Sequence, residues 1–242
     1  MRELTTDRPD KTESPYTVDA GHYQIELDLL NYTQDCTDQA VQTLAIAPSN
    51  LKVGLFNNVD LQFIVETYTI QRTSGHDPQA HETVSGFGDV LIRCKTNFWG
   101  NDGGTTAGGM MPFLKLLTGA TELGNGAVEG GIIFPLAITL PQEWSMGLMT
   151  EVDHLRNSDS SNYHQEFINS ITFGHGIIGQ LAGYLEFFSS ISSERDVEWI
   201  GTVDFGLTYK LRSNVQLDAG VNIGVTRAAD DLNSFVGLSV RF

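Results

Sequence analysis

A chain of 242 residues with 30 acids against 14 bases carries a formal net charge of −16. That balance excludes nucleic acid as a partner, because phosphate contact needs Lys and Arg. Mean hydropathy is only −0.12 although 40% of the residues are hydrophobic, so the apolar residues are dispersed, and the longest apolar run, Ile132 to Ile138 around Pro135, is far short of the roughly 20 residues a membrane helix needs.

Residues 1–20 are polar, carry Pro9 and Pro15, and read as an extended segment on the periplasmic side, with the sequence leaving open whether they plug the lumen. The opening Met1-Arg2-Glu3-Leu4 has no apolar stretch of a secretion signal, and the expectation is a signal peptide already removed. After Gly21 the period becomes two and stays two. In Tyr23-Gln24-Ile25-Glu26-Leu27-Asp28-Leu29 the odd positions are apolar and the even ones polar. Val59 to Glu66, Val90 to Lys95, Trp144 to Asp153, Leu181 to Phe187, Val203 to Lys210, Val215 to Ile223 and Val236 to Phe242 repeat the pattern. Sustained alternation gives each strand one apolar and one polar face. The weakest strand is 163–174, where Gln165 and Asn169 share the face of Phe167 and Ile171.

Twelve strands are predicted, at 22–32, 41–56, 58–70, 85–98, 107–118, 128–140, 143–154, 163–174, 177–191, 197–210, 213–225 and 233–242. Most have ten or more residues, near the 9–11 of a tilted membrane strand and above the usual 5–6 of soluble sheets. Tight turns near Asn57, Pro141, His175 and Ser213 alternate with longer polar loops, as in barrels with short periplasmic turns and long external loops. Pro112 and Pro135 fall inside strands and predict bulges. The fold class is therefore all-β: a single antiparallel up-and-down transmembrane barrel over residues 21–242, preceded by the segment 1–20. Tyr23, Phe56, Phe98, Trp144, Tyr163, Trp199, Tyr209 and Phe242 sit near strand ends and suit interfacial aromatic girdles.

In a membrane barrel the apolar face meets lipid and the polar face lines the lumen. The polar phase then makes Glu26, Asp60, Glu66, Asp89, Arg93, Lys95, Lys115, Glu129, Glu151, Asp153, Glu166, Glu186, Asp204 and Asp218 the candidate lumen-lining residues. Acids outnumber bases in this set, which predicts either a cation-preferring pore or a packed, ion-paired interior that conducts nothing. The alternating last strand ending in Phe242 is similar to the assembly signal of outer-membrane barrels. Expected partners are outer-membrane lipid and lipopolysaccharide, the barrel-assembly machinery and a small-molecule solute; no cofactor or metal is expected. His76-Asp77 and His81-Glu82 offer metal-ligand types without a motif and read as a solvated loop. Catalytic residues are not expected; a lipid-acting barrel enzyme would need a serine near His154, and Ser158, Ser160 and Ser161 lie in the next loop. Two cysteines, Cys36 and Cys94, make no disulfide framework.

Thr6-Asp7-Arg8-Pro9-Asp10-Lys11-Thr12-Glu13-Ser14-Pro15-Tyr16-Thr17-Val18, followed by Gly21-His22-Tyr23-Gln24-Ile25-Glu26, resembles the opening of an outer-membrane transporter family of the "MetA-pathway of phenol degradation" type. Asn50 to Leu55 with Val59-Asp60-Leu61, Gly86 to Val90, and Met111 to Leu116 with Thr118-Gly119 are also similar. Leu117 stands where that family would have proline. The resemblance covers essentially the whole chain and implies a Gram-negative outer-membrane channel, a porin-like transporter for small, aromatic or poorly soluble compounds.

Overall fold

The computed structural model describes residues 1–37, 39–75, 81–120, 123–124, 126–157 and 161–242. Alternation has produced strands throughout: β1 (Tyr23–Asp35), β2 (Ala40–Ile46), β3 (Ser49–Phe56), β4 (Val59–Val65), β5 (Tyr68–Ser74), β6 (His81–Gly86), β7 (Val90–Trp99), β8 (Thr106–Leu116), β9 (Glu129–Thr139), β10 (Trp144–Arg156), β11 (Tyr163–Ile178), β12 (Leu181–Ser192), β13 (Ile200–Arg212), β14 (Val215–Gly224) and β15 (Leu232–Arg241). Every pairing is antiparallel, and β15 returns to β1, Ile25 opposite Val240, closing the sheet. Closure removes the sheet edges that hydrocarbon could not satisfy.

Fifteen segments make twelve staves, because three staves are each broken once. β2 and β3, β4 and β5, and β6 and β7 are the halves. The breaks align. Leu29 bulges out of β1, residues 47–48 separate β2 from β3, 66–67 separate β4 from β5, and 87–89 separate β6 from β7. Pro48 has no ladder donor, and Ala47 is held at φ 54°, a left-handed conformation unusual for a residue with a Cβ. The long strands expected at 41–56, 58–70 and 85–98 are therefore each divided by one transverse seam. The bulges expected at Pro112 and Pro135 do not form. Register is the same on both sides of each proline, Arg93↔Phe113 with Thr96↔Met110, and Gly108↔Leu136 with Met111↔Ile133. The ladder skips the pairs around the missing N–H instead of shifting.

The two faces are sorted as in a membrane barrel. Phe205, Leu207, Leu217 and Val236 are exposed on the outside, while Asp204, Asp218, Glu26, Lys95 and Gln62 are buried inside. A soluble protein would invert this arrangement. Leu207 lies mid-strand and Leu211 at the strand end. Leu207→Arg should destabilise the membrane-folded barrel by about 2–4 kcal/mol and Leu211→Arg by about 0–1 kcal/mol. Denaturant titration in phospholipid vesicles measures both, and equal costs would contradict the lipid-facing assignment.

Candidate functional site

The lumen is not empty. Residues 2–19 form a re-entrant loop that enters and leaves at the short-turn end. At its base Arg2 donates from its backbone N–H and from Nε to the Asp19 carboxylate, 2.8 and 2.5 Å, and the Arg2 guanidinium donates to the Asn57 carbonyl, 2.7 Å. Arg241 donates to the carbonyls of Arg2 and Glu3. The ascending limb is bound through Thr5 and Thr6, which accept from the amides of Gln24 and Gln216.

Asp7 is the central anchor. Its two carboxylate oxygens meet Lys52 Nζ and Lys95 Nζ, each at 2.5 Å, and its backbone N–H donates to Glu26, which also pairs with Lys52. All four side chains are almost fully buried. Arg8 continues the loop, pairing with Asp218 at 2.7 Å and with Asp28. A side chain at Gly237 would occupy the Arg8 guanidinium's place, so this glycine permits the close approach. At the loop's tip Lys11 Nζ donates to Thr202 Oγ1, 2.8 Å, and lies 3.3 Å from Asp204 and over the Phe188 ring. The backbone N–H groups of Lys11 and Thr12 both donate to Glu186, 2.8 and 2.7 Å.

The descending limb uses the remaining wall. Glu13 pairs with Arg93, the Pro15 carbonyl accepts from Asn97, and Val18 N–H donates to Asp60, 2.9 Å. The limbs are tied to each other where Ser14 N–H donates to Asp7, 3.1 Å. Gly54 lies so close to the carbonyls of Val18 and Asp19 that any side chain there would overlap them.

Two spaces remain. One, of about 240 Å³, lies between Asp7, Arg8, Glu13 and the wall at Glu26, Asn50 and Arg93. The other, of about 400 Å³, lies above the loop tip at the long-loop end, between Lys11, Asn31, Thr202, Asn222 and Asp230. A chain of amides runs from this outer cavity to the anchor: Asn222 donates to Asn233, Asn233 to Asn31 and Asn31 to Asp28, 3.0, 2.6 and 2.9 Å. Asp28 in turn holds Arg8. One wall is apolar: Met111, Ile133 and Met149 are buried together, with Phe113, Ile168 and Phe188 packed against them.

Of the residues predicted to line the lumen, Glu26, Asp60, Arg93, Lys95, Glu186, Asp204 and Asp218 bind the loop. Lys115 pairs with Glu129 at 2.5 Å and lies 3.7 Å from Asp89, while Asp89 accepts from the backbone of Thr118 and Gly119. Glu166 accepts from Ser190. Asp153 sits across the ladder from Glu166, and Glu151 is its neighbour on the same face. Glu66 is at the seam, against Gly88. Phe242 exchanges backbone hydrogen bonds with Tyr23, 2.8 and 3.2 Å, at the barrel's closure. Asp28, on the polar phase read from the alternation, also anchors the loop; Lys52, Gln24 and Asn97 carry as much of the anchoring and were absent from the predicted set. So were Asp7, Arg8, Lys11, Thr12 and Glu13, since the sequence reads residues 1–20 as a periplasmic extension. Their density of charge around two prolines was the available signal. His154 stacks on Tyr163 and contacts Gln165. His76, Asp77, Ser158 and Ser160 lie outside the described residues. Cys36 and Cys94 are both free.

A closed antiparallel barrel with an apolar exterior, a polar interior and its own N-terminal loop inside defines an outer-membrane β-barrel. The chain belongs to the family described as "Putative MetA-pathway of phenol degradation", whose profile matches residues 6–242. Its fold is similar to that of an outer-membrane channel from Pseudomonas putida F1, with TM-score 0.65 and 13% identity over 98% of this chain and 100% of that one. The NanC porin is similar with TM-score 0.55 and 11% identity over 90% and 98%. The β domain of the Bordetella autotransporter BrkA is similar with TM-score 0.54 and 14% identity over 93% and 100%. These likenesses establish the architecture, which a channel, a porin and an autotransporter share. No curated protein matches the sequence.

Removing one partner of a buried ion pair costs about 3–5 kcal/mol. Asp7→Asn leaves Lys52 and Lys95 facing one another, and should release the loop. With Cys36 and Cys94 replaced by serine, maleimide labelling of Thr12→Cys should rise at least tenfold on adding Asp7→Asn. Unchanged labelling would show that Asp7 does not hold the loop. At the base, burial raises the Asp19 carboxyl, but the hydrogen bonds and charge of Arg2 outweigh it, leaving Asp19 below its ordinary value. A lowered carboxyl contributes fully above the unfolded pKa and loses its contribution as pH falls through the folded one. A spin label at Glu3→Cys should therefore stay immobile at neutral pH and gain mobility only in acid, below the ordinary carboxylate range; mobility that is independent of pH would contradict this.

Proposed function

We propose that this barrel is an outer-membrane channel for small solutes, closed by its own N-terminal loop. The observation that carries the reading is the way the loop is held. It is attached to the wall by ion pairs and hydrogen bonds, each of which water or a competing ligand can replace, and its tip meets the outer cavity at Lys11. Salt and charged ligands weaken the part-exposed contact of Lys11 with Asp204 at the tip, while the buried pairs at Asp7 are screened much less.

The apolar wall of Met111, Ile133, Met149 and Phe188 supports a solute with an apolar, aromatic body. A purely hydrophilic pore has no use for such a strip, and a polar lumen around it keeps small polar groups of the solute hydrated. The lumen acids named from the sequence, once uncovered, favour cations. A second reading, a structural barrel with a filled interior, is favoured by the number of ion pairs and hydrogen bonds that hold the loop to the wall.

Planar-bilayer recording separates the two. Deletion of residues 2–19 should raise single-channel conductance at least threefold over the full chain and give cation preference in a KCl gradient. Small aromatic solutes should then interrupt the current, and Met149→Asp should abolish the interruption. No conductance from either protein would leave the structural barrel as the answer.

A further inference from the structure

A polar row interrupts the apolar outer face of the barrel. Across three adjacent staves, Thr150, Asn169 and Ser189 stand directly opposite one another, Thr150↔Asn169 and Asn169↔Ser189. All three occupy the lipid-facing phase, between apolar neighbours such as Leu148, Ile171 and Phe187. Thr150 donates to Asn169 Oδ1 at 2.9 Å, and Trp199 Nε1 donates to Ser189 Oγ at 2.8 Å. The Asn169 amide nitrogen has no acceptor among the described residues. It lies near the middle of β10 and β11, where hydrocarbon offers none. The row forms the floor of a groove of about 490 Å³ walled by Phe134, Leu136, Leu148 and Phe187.

Unsatisfied donors in hydrocarbon are costly, and between packed membrane helices neutral amides and hydroxyls find their partners across the contact. An acyl chain would fill the apolar walls but leave the amide unpaired. We infer that this face is the contact between two copies of the chain in the membrane. The geometry selects a second copy for a specific reason. A two-fold axis along the membrane normal keeps every residue at its own depth, so each group on the axis meets itself. A carboxamide is a donor and an acceptor at once, so two Asn169 side chains pair with each other through two N–H···O=C bonds. Phe134 and Phe187, on the groove's rims, seat against the opposite copy. Elsewhere Leu51, Phe205, Leu217 and Val236 represent the apolar lipid-facing phase, and a second polar row, Gln34, Gln42, Arg72 and Thr83, lies toward the long-loop end.

The test uses the full chain with Cys36 and Cys94 replaced by serine, refolded in phospholipid vesicles. Ile171→Cys is the reporter, one outward position along β11, and it leaves Asn169 in place. Leu51→Cys, on the opposite wall, is the control. Copper-phenanthroline should link Ile171→Cys into a dimer at least tenfold more than Leu51→Cys. Adding Asn169→Leu should lower the Ile171→Cys yield at least tenfold, while heat-modifiable gel migration shows the barrel still folded. Equal cross-linking at the two positions, insensitivity to Asn169→Leu, or a monomer at every concentration in sedimentation equilibrium would overturn the proposal. So would a photo-cross-linker at position 169 that captures only phospholipid.

Discussion

The structure depends on charge compensation inside a closed wall. Lys52 and Lys95 project into the same few ångströms of lumen, and Asp7 is the carboxylate that stands between them. Without it two ammonium groups would share a space with little water. The same logic operates above it, where Arg8 bridges Asp28 and Asp218, and beside it, where Glu13 meets Arg93. At Lys95, at Arg93 and at the Asp28–Asp218 pair the loop supplies the opposite sign, while Glu26 and Lys52 already pair within the wall. Loop and wall are electrostatically one object.

Why most of the barrel was legible in the sequence follows from the period of two. A strand facing lipid on one side and water or polar groups on the other must alternate, so the strand count and the inward side of Asp204 or Glu186 could be read directly. The seam was not legible, since Val59 to Glu66 alternates right up to the break. What interrupts it is a tertiary feature: Pro48 and Ala47 on one stave and a bulge at Leu29 on the next fix where the others must bend. The proline misreading has a similar origin. Whether Pro112 and Pro135 shift the register or merely lose a bond depends on the neighbouring strand, which a single segment does not reveal.

The loop shows where single-sequence reading ends. Arg8, Lys11 and Glu13 look like solvated residues because nothing local says they are enclosed. Their partners lie as far as 210 residues away along the chain. The family resemblance carried the outer-membrane fold but not the pairing, and the low identity to known structures leaves those pairings to be read from this chain's own side chains. The apolar wall behind Met149 was hidden for the opposite reason. Met111, Ile133 and Met149 fall in the inward phase, where polar residues are the rule.

The route of the N-terminal segment has a topological consequence. Its two ends lie at the same mouth, joined by Arg2 and Asp19, while its tip at Lys11 reaches toward the other. A chain threaded end to end through a closed ring could leave only by pulling a terminus the whole way. A folded-back loop is unknotted with the ring at every stage, so it can slide out toward the short-turn side and back again with every strand still paired. Topology therefore leaves loop and wall separable, like a stopper in the neck of a bottle, whatever the order in which they are made during assembly.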